Sequence, residues 1–379
     1  GAIVVASAAG GLEFPHRPLV DSDEIDLGGL ALRAVATPGH TPEHLSYLLL
    51  DGARPLALFS GGSLLVGAVA RTDLISPDRT EDLARQMWRC LRERVLTLPD
   101  DLTVYPTHGS GSFCSTSAGS ARTTTIGAEK AANPLLAAPD EDAFVKLLLG
   151  GLGTYPDYFA RLREVNRNGP AIYGPNPPPL VPLSPADVHR LDADEGAVVV
   201  DVRSIAEFAT GHIPGAVSIE LRPAFASWLG WCVSPDRPLV FVLDDGQDRA
   251  EVVRQALNIG YERLAGELAG GMQAWKAADR PIARTPLVGI ADIEGAILDV
   301  RQDAEWVAGH IPGSAHVELG ALSGGTPVRD GSLTVTCGHG ERAMTGASLL
   351  ERVGHRELRV LAGGTSAWTD AGRLLEPGA

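Results

Sequence analysis

The feature that most constrains this chain is an internal repeat. DVRSIAEFATGHIPGAVSIEL at 201–221 and DVRQDAEWVAGHIPGSAHVEL at 299–319 agree at 12 of 21 positions, 98 residues apart. A second shared block follows in each copy, LAGGMQAW at 268–275 and LAGGTSAW at 361–368, now 93 residues apart. Units of roughly one hundred residues are longer than solenoid repeats, so the copies read as duplicated globular domains. Each reads as α/β. AVVVDVR and AILDVR are apolar runs ending in a polar residue, the pattern of a buried strand in a parallel sheet. The AEF and AEW segments start a short helix that GHIPG stops with Gly and Pro. PLVFVL and LTVTC read as further strands, and RAMTGASLLERV as an amphipathic helix.

A proline-dense segment, GPAIYGPNPPPLVPLSP at 169–185, separates this pair from a different kind of domain. There, EIDLGGLALRAVATPGHTPEHLSYLLLDGARPLALFSG alternates apolar runs with turn residues, as consecutive antiparallel strands do. DEDAFVKLLLGGL and YPDYFARLREVNR carry helical periodicity. At 379 residues the chain is long enough for about three domains. The expected boundaries are 1–170 with C-terminal helices, a linker at 171–182, and repeats at 183–284 and 285–379.

A net charge of -15 argues against nucleic acid as a partner, because phosphate binding needs clustered Lys and Arg. No apolar stretch reaches membrane-spanning length, so a membrane is not expected either. Cys90, Cys114, Cys232 and Cys337 form no close pair, which favours a reducing cytoplasm and a reactive rather than structural role for any special cysteine. The opening GAIVVASAAGG has no basic leader and reads as a strand running into a glycine turn. Starting in mid-strand without Met, it suggests that upstream sequence is missing.

The chemistry concentrates at Cys337. SLTVT is a strand, RAMTGASLLERV a helix, and Cys-Gly-His-Gly-Glu-Arg at 337–342 lies between them. A cysteine at the C-terminal edge of a strand, leading into a helix N-terminus, has backbone N–H groups converging on its sulfur. Those dipoles and Arg342 favour a thiolate or persulfide anion. Gly338 and Gly340 supply backbone freedom, and Gly338, His339, Gly340 and Glu341 form the cradle. His339 reads as a solvent-facing loop residue.

The D-V-R…G-H-I-P-G block, the Cys-x4-Arg loop and the closing L-x-G-G-x-x-x-W resemble the rhodanese family of sulfurtransferases, and sit in order within 291–370. The resemblance implies that Cys337 takes sulfane sulfur from a small donor, carries it as a persulfide, and passes it to a thiol or cyanide. Transfer to a partner protein's thiol is the carrier alternative. The similar phosphatase loop is Cys-x5-Arg, one residue longer. In the first repeat, counting back by 93 places Asp244 opposite Cys337 and Arg249 opposite Arg342. Leu243 is an alternative, because the following helices differ by one residue. None is cysteine, and the first repeat is expected to be inactive, packing against the second or shaping a surface for it.

TPGHTPEHLSYLL at 37–49, LFSGGSLLVGAVARTDL at 58–74 and VYPTHGSGSFCS at 104–115 resemble the metallo-β-lactamase fold, and within it the persulfide dioxygenases fused to rhodanese domains. The implied architecture is part of an αββα sandwich followed by two α/β rhodanese domains with parallel sheets. Those dioxygenases hold Fe(II) with two His and one Asp, oxidise glutathione persulfide, and are often homodimers. His40 matches the His ligand of P-G-H-T, and His108 a further His of related hydrolases. Gly62 stands where the Asp ligand is expected, and no H-x-H-x-D-H motif occurs in this sequence. His40 and His44 are four apart, but Pro42 argues against helical ligand spacing. The implied reading is a domain that has lost its metal chemistry, with Fe(II) required only if the chain is instead a dioxygenase. Arg71 and Asp73 of A-R-T-D-L match the family's G-R-x-D-x pattern, which implies a glutathione contact at Arg71.

Overall fold

A computed structural model describes residues 2–107, 121–156, 158–174, 176–323 and 331–378. His108 and Cys114 lie outside these residues. The chain divides into two compact units, one of residues 1–155 with 159–170, the other of residues 156–158 with 171–379.

In the first unit β1 (Val5–Ser7) and β2 (Arg17–Leu19) form a parallel pair. Then come β3 (Glu24–Asp26), β4 (Ala31–Ala36), β5 (Leu45–Asp51), β6 (Arg54–Gly61), β7 (Thr103–Pro106) and β8 (Thr124–Thr125), making a six-stranded sheet in that order. It is antiparallel apart from the β6–β7 pair. Strand β5 shows the two-residue period directly, with Ser46, Leu48 and Leu50 buried and their neighbours part-exposed. Helices α1 (Pro77–Cys90), α2 (Ile126–Ala132) and α3 (Glu141–Gly150) follow, and α4 (Tyr158–Asn168) closes the segment. Leu48, Leu58 and Val104 of the sheet share one core with Met87 of α1 and Phe144 of α3.

The second unit holds both repeats. The first has β9 (Pro182–Leu183), α5 (Pro185–Glu195), β10 (Val198–Asp201), α6 (Ile205–Thr210), β11 (Val217–Ser218), α7 (Phe225–Cys232), β12 (Leu239–Val242), α8 (Arg249–Asn258), β13 (Leu264–Leu268) and α9 (Gly271–Ala277). The second has β14 (Leu287–Val288), β15 (Ala296–Asp299), α10 (Asp303–Ala308), β16 (Ala315–His316), α11 (Leu319–Ser323), β17 (Leu333–Thr336), α12 (Glu341–Arg352), β18 (Leu358–Leu361) and α13 (Gly364–Asp370). The two parallel sheets run β11-β10-β12-β13-β9 and β16-β15-β17-β18-β14, which is one topology used twice. Every residue of β10, β12 and β17 is buried, as parallel strands covered on both faces must be.

The repeated residues prove to be mainly structural. Arg203 clamps Asp201 with its Nε and Nη2 and donates to the Gly211 carbonyl, tying the strand end to the GHIPG turn. Arg301 does the same with Asp299 and Gly309. His212 stacks on Phe208 at 3.7 Å and His310 on Trp306 at 3.8 Å, which explains the aromatic before G-H in each copy.

The sheets also correct the alignment of the two loops. Leu239 pairs with Leu264 and Val240 with Gly266, so Ala265 is an extra bulged residue in β13. In β18 the register runs without a break. The offset is therefore 94 through the loop and falls to 93 only after the bulge. Asp201 faces Val242 as Asp299 faces Thr336, which places Leu243 opposite Cys337. Asp248 then stands opposite Arg342, in place of the counterparts Asp244 and Arg249 that counting back by 93 gave. The first repeat lacks the nucleophile, while Arg249, one residue beyond Asp248, donates through Nη1 to the Asp244 and Gln247 carbonyls of the loop.

Helix α12 departs from its expected amphipathic form, since all eight residues from Ala343 to Leu350 are buried. Its own sheet covers one side and the first repeat the other. Thr345 Oγ1 donates to the Ser218 carbonyl at 2.6 Å, and the Ser218 N–H donates to Ser348 Oγ at 3.0 Å. Glu351 accepts from the Gly215 N–H at 3.0 Å and lies 3.0 Å from His212 Nε2. Small residues here (Ala343, Gly346, Ala347) admit a second layer that a solvent-facing helix would not need. Among the described residues, no helix is long and apolar enough to cross a membrane.

Candidate active site

Strand β17 delivers Cys337 to its C-terminal edge, and four residues later α12 begins. Gly340 turns the chain at φ +126°, a conformation that favours glycine. The turn brings its N–H 3.1 Å from Cys337 Sγ, the one N–H that reaches the sulfur among the described residues. Gly338 is not among the positive-φ glycines. A Cβ there would lie in ordinary contact with Arg342 Nη2 at 3.5 Å, so the guanidinium runs alongside this residue. His339 is exposed, and Glu341 is the first residue of α12.

Two neighbours complete this loop, and sequence pattern alone assigned neither of them a contact with it. The first is the closing L-x-G-G motif. Gly364, at φ +56°, packs so tightly that a Cβ would lie 2.0 Å from the Cys337 carbonyl oxygen. That carbonyl accepts from the Thr365 N–H at 2.7 Å, and the Gly338 carbonyl from the Ser366 N–H at 3.1 Å. The second is Glu305 of α10, which binds Arg342 through both oxygens at 2.6 and 2.8 Å. Burial works against the Arg342 charge, but this carboxylate outweighs it and holds the guanidinium above its usual range. The first repeat also reaches the loop. The Trp228 ring lies 5.7 Å from the Arg342 guanidinium, and a Cβ on Gly340 would meet Ile205 Cδ1 at 3.1 Å.

The other described thiols differ in setting. Cys90 is pushed up to about 12 by burial, and burial also raises Cys232 strongly. Neither stands beside a helix-entry glycine loop, and both remain neutral thiols at physiological pH.

Around His40 the described residues bring in no second ligand, and His108 lies outside them. His40 Nδ1 donates to the Arg71 carbonyl at 2.8 Å. His44 Nε2 accepts the Gly62 N–H at 3.0 Å, and its Nδ1 pairs with Thr37 Oγ1 at 2.8 Å. Both His44 nitrogens are thus engaged by protein. A Cβ on Gly62 would lie 2.7 Å from His40 Cδ2, so the space for a carboxylate is filled by the histidine itself. No group of three or more His, Cys, Asp or Glu able to hold a metal occurs among the described residues. This residue set does not fit an iron centre. Arg71 is buried, forms a two-pronged pair with Asp73 at 2.7 and 2.8 Å, donates to the Gly153 carbonyl, and stacks on Tyr155. In this arrangement it ties Asp73, Gly153 and Tyr155 of its own domain together.

Comparison with known proteins agrees with this division. The rhodanese-like domain model matches residues 184–278 and 287–371. Over the N-terminal part the chain is similar to the human mitochondrial persulfide dioxygenase ETHE1, 31% identical over 128 residues, which is 34% of this chain and 44% of that one. A probable metallo-hydrolase of Burkholderia pseudomallei is 36% identical over 110 residues, 27% of this chain and 35% of that one. The chain thus spans less than half the length of these curated relatives. A crystal structure of a metallo-β-lactamase from Staphylococcus aureus superposes with a TM-score of 0.61 at 28% identity, covering 71% of this chain and 78% of that one. The two C-terminal repeats are rhodanese-like domains, and they follow an N-terminal part of metallo-β-lactamase fold.

Proposed function

We propose that the chain is a sulfurtransferase that carries sulfane sulfur as a persulfide on Cys337. One observation carries the reading: Sγ sits at the end of β17, accepting the Gly340 N–H at 3.1 Å at the head of α12. The two rhodanese-like domains support sulfur transfer as the general class. In the first step the Cys337 thiolate attacks the outer sulfur of the donor. A new S–S bond forms as the donor's S–S bond breaks, and the departing group keeps the electron pair, as sulfite does from thiosulfate. In the second step an acceptor thiolate attacks the terminal sulfur. The acceptor leaves as a persulfide and Cys337 returns as thiolate, with no external oxidant or reductant. The loop N–H and Arg342 stabilise the anions formed at each stage.

The first repeat, with Leu243 and Asp248 in the loop, acts as a scaffold that covers α12. The donor is a small sulfane-sulfur compound and the acceptor a thiol, in a reducing cytoplasm that keeps Cys337 free. Kinship with persulfide dioxygenases supports persulfide as the chemical theme of the N-terminal domain. No oxidation step is derived there, since the residues around His40 do not fit the iron.

The test is turnover with thiosulfate and cyanide. Cys337→Ser removes it. Arg342→Ala lowers it by about ten- to a hundredfold, the loss of one charge-assisted contact of about 1.5–3 kcal/mol. Activity that survives Cys337→Ser contradicts the assignment.

A further inference from the structure

Both terminal nitrogens of Arg342 are occupied by a single carboxylate. Nη1 donates to Glu305 Oε2 and Nη2 to Oε1, so the cation beside Cys337 is neutralised at rest. The guanidinium lies along the loop next to Gly338, with the Trp228 ring close by. Cys337 itself is 1% exposed. Of the two partners Glu305 is the more accessible, its side chain 41% exposed against 16% for Arg342. The residue able to turn out into water is therefore the carboxylate. Glu341, at the start of α12, adds a second negative charge to the loop.

Resting on the transferase reading, we propose that Glu305 is a positioning residue that sets the charge selectivity of Cys337, holding Arg342 so that an anionic donor must displace a carboxylate to reach it. A dianion such as thiosulfate meets no net positive charge on approach and is repelled by Glu305 until that side chain leaves. A singly charged organic persulfide, R–S–S⁻, is repelled less. The resting site thus favours persulfide over thiosulfate as donor. The preference weakens at high salt, because Glu305 is partly solvent-exposed.

Two measurements on the full chain test this. In steady state, Glu305→Gln lowers KM for thiosulfate roughly tenfold with kcat little changed, the discounted value of one charge-assisted contact. The KM for glutathione persulfide moves less, and Glu305→Asp, which keeps the charge, behaves as wild type. Independently of turnover, Cys337 is alkylated with anionic iodoacetate and neutral iodoacetamide. Glu305→Gln raises the iodoacetate-to-iodoacetamide rate ratio, while Glu305→Asp preserves it. An unchanged ratio in Glu305→Gln overturns the inference, whatever the transfer rates. A raised ratio in a protein whose Cys337 accepts sulfur from no donor would uphold the charge selectivity and overturn the transferase reading instead.

Discussion

Gly364→Ala isolates what holds the sulfur loop in place. Gly364 has φ +56°, and a methyl group on it would stand 2.0 Å from the Cys337 carbonyl oxygen. No Cβ tolerates that distance, and the obstacle is backbone, so the loop has to move. The left-handed conformation costs about 1–2 kcal/mol for a side-chain residue. Displacing the carbonyl breaks its 2.7 Å bond from the Thr365 N–H, worth about 1 kcal/mol. The variant should lose roughly 3 kcal/mol of stability, read by denaturant unfolding of the full chain. Moving the Cys337 backbone by about 1 Å also misaligns Sγ against its donor, and such an error costs on the order of a hundredfold in rate. The first repeat supplies a matched control. Gly271 has φ +55°, and its Cβ would lie 3.0 Å from the Leu243 carbonyl oxygen. Gly271→Ala should destabilise by about 1–2 kcal/mol and leave sulfur transfer at the wild-type rate. Wild-type transfer by Gly364→Ala, or equal loss in both variants, would refute the loop-clamp argument.

Three further outcomes are expected. Burial and the neighbouring His40 depress His44 from 6.5 to about 4, and protonating Nε2 would set it against the Gly62 N–H. Because the folded form resists the proton, stability of the first unit is full above pH 6.5 and falls by roughly 3 kcal/mol as pH drops to about 4. Urea midpoints across that window should show the slope, and His44→Gln should flatten it. Leu243→Cys in the first repeat should yield a thiol that alkylates but transfers no sulfur, since Asp248 stands where the second repeat has Arg342. Measurable transfer by Leu243→Cys in a Cys337→Ser background would contradict the register. Gly62→Asp should destabilise the N-terminal domain by about 2 kcal/mol rather than restore a metal site, because its Cβ meets His40 at 2.7 Å. Stoichiometric iron in that variant, by metal analysis, would show that the histidine yields easily.

Much of the second unit was legible from sequence, because strand, glycine loop and helix each carry a local signature. The repeat marked both rhodanese-like domains, and Cys-x4-Arg marked the candidate nucleophile. What local pattern could not supply was pairing. Ala265 bulges out of β13, and only the strand register reveals that the loops align through Leu243 and Asp248. The burial of α12 was hinted at by its run of small residues, yet the covering partner is a distant segment, Gly215–Ser218. Glu305 was hidden for a related reason. Its counterpart Glu207 is kept in a repeat without the cysteine, so repetition alone gave it no special meaning. In the N-terminal domain the missing carboxylate at Gly62 was visible, but that His40 fills the space required side-chain packing.

The most direct test of the central claim is the intact mass of the full chain after brief exposure to a sulfane-sulfur donor, followed by a thiol. A gain of one sulfur atom is expected, located on the peptide containing Cys337 and discharged by the thiol. The Cys337→Ser variant should take up none. Sulfur bound equally by that variant, or sulfur on Cys337 that no thiol removes, would contradict it.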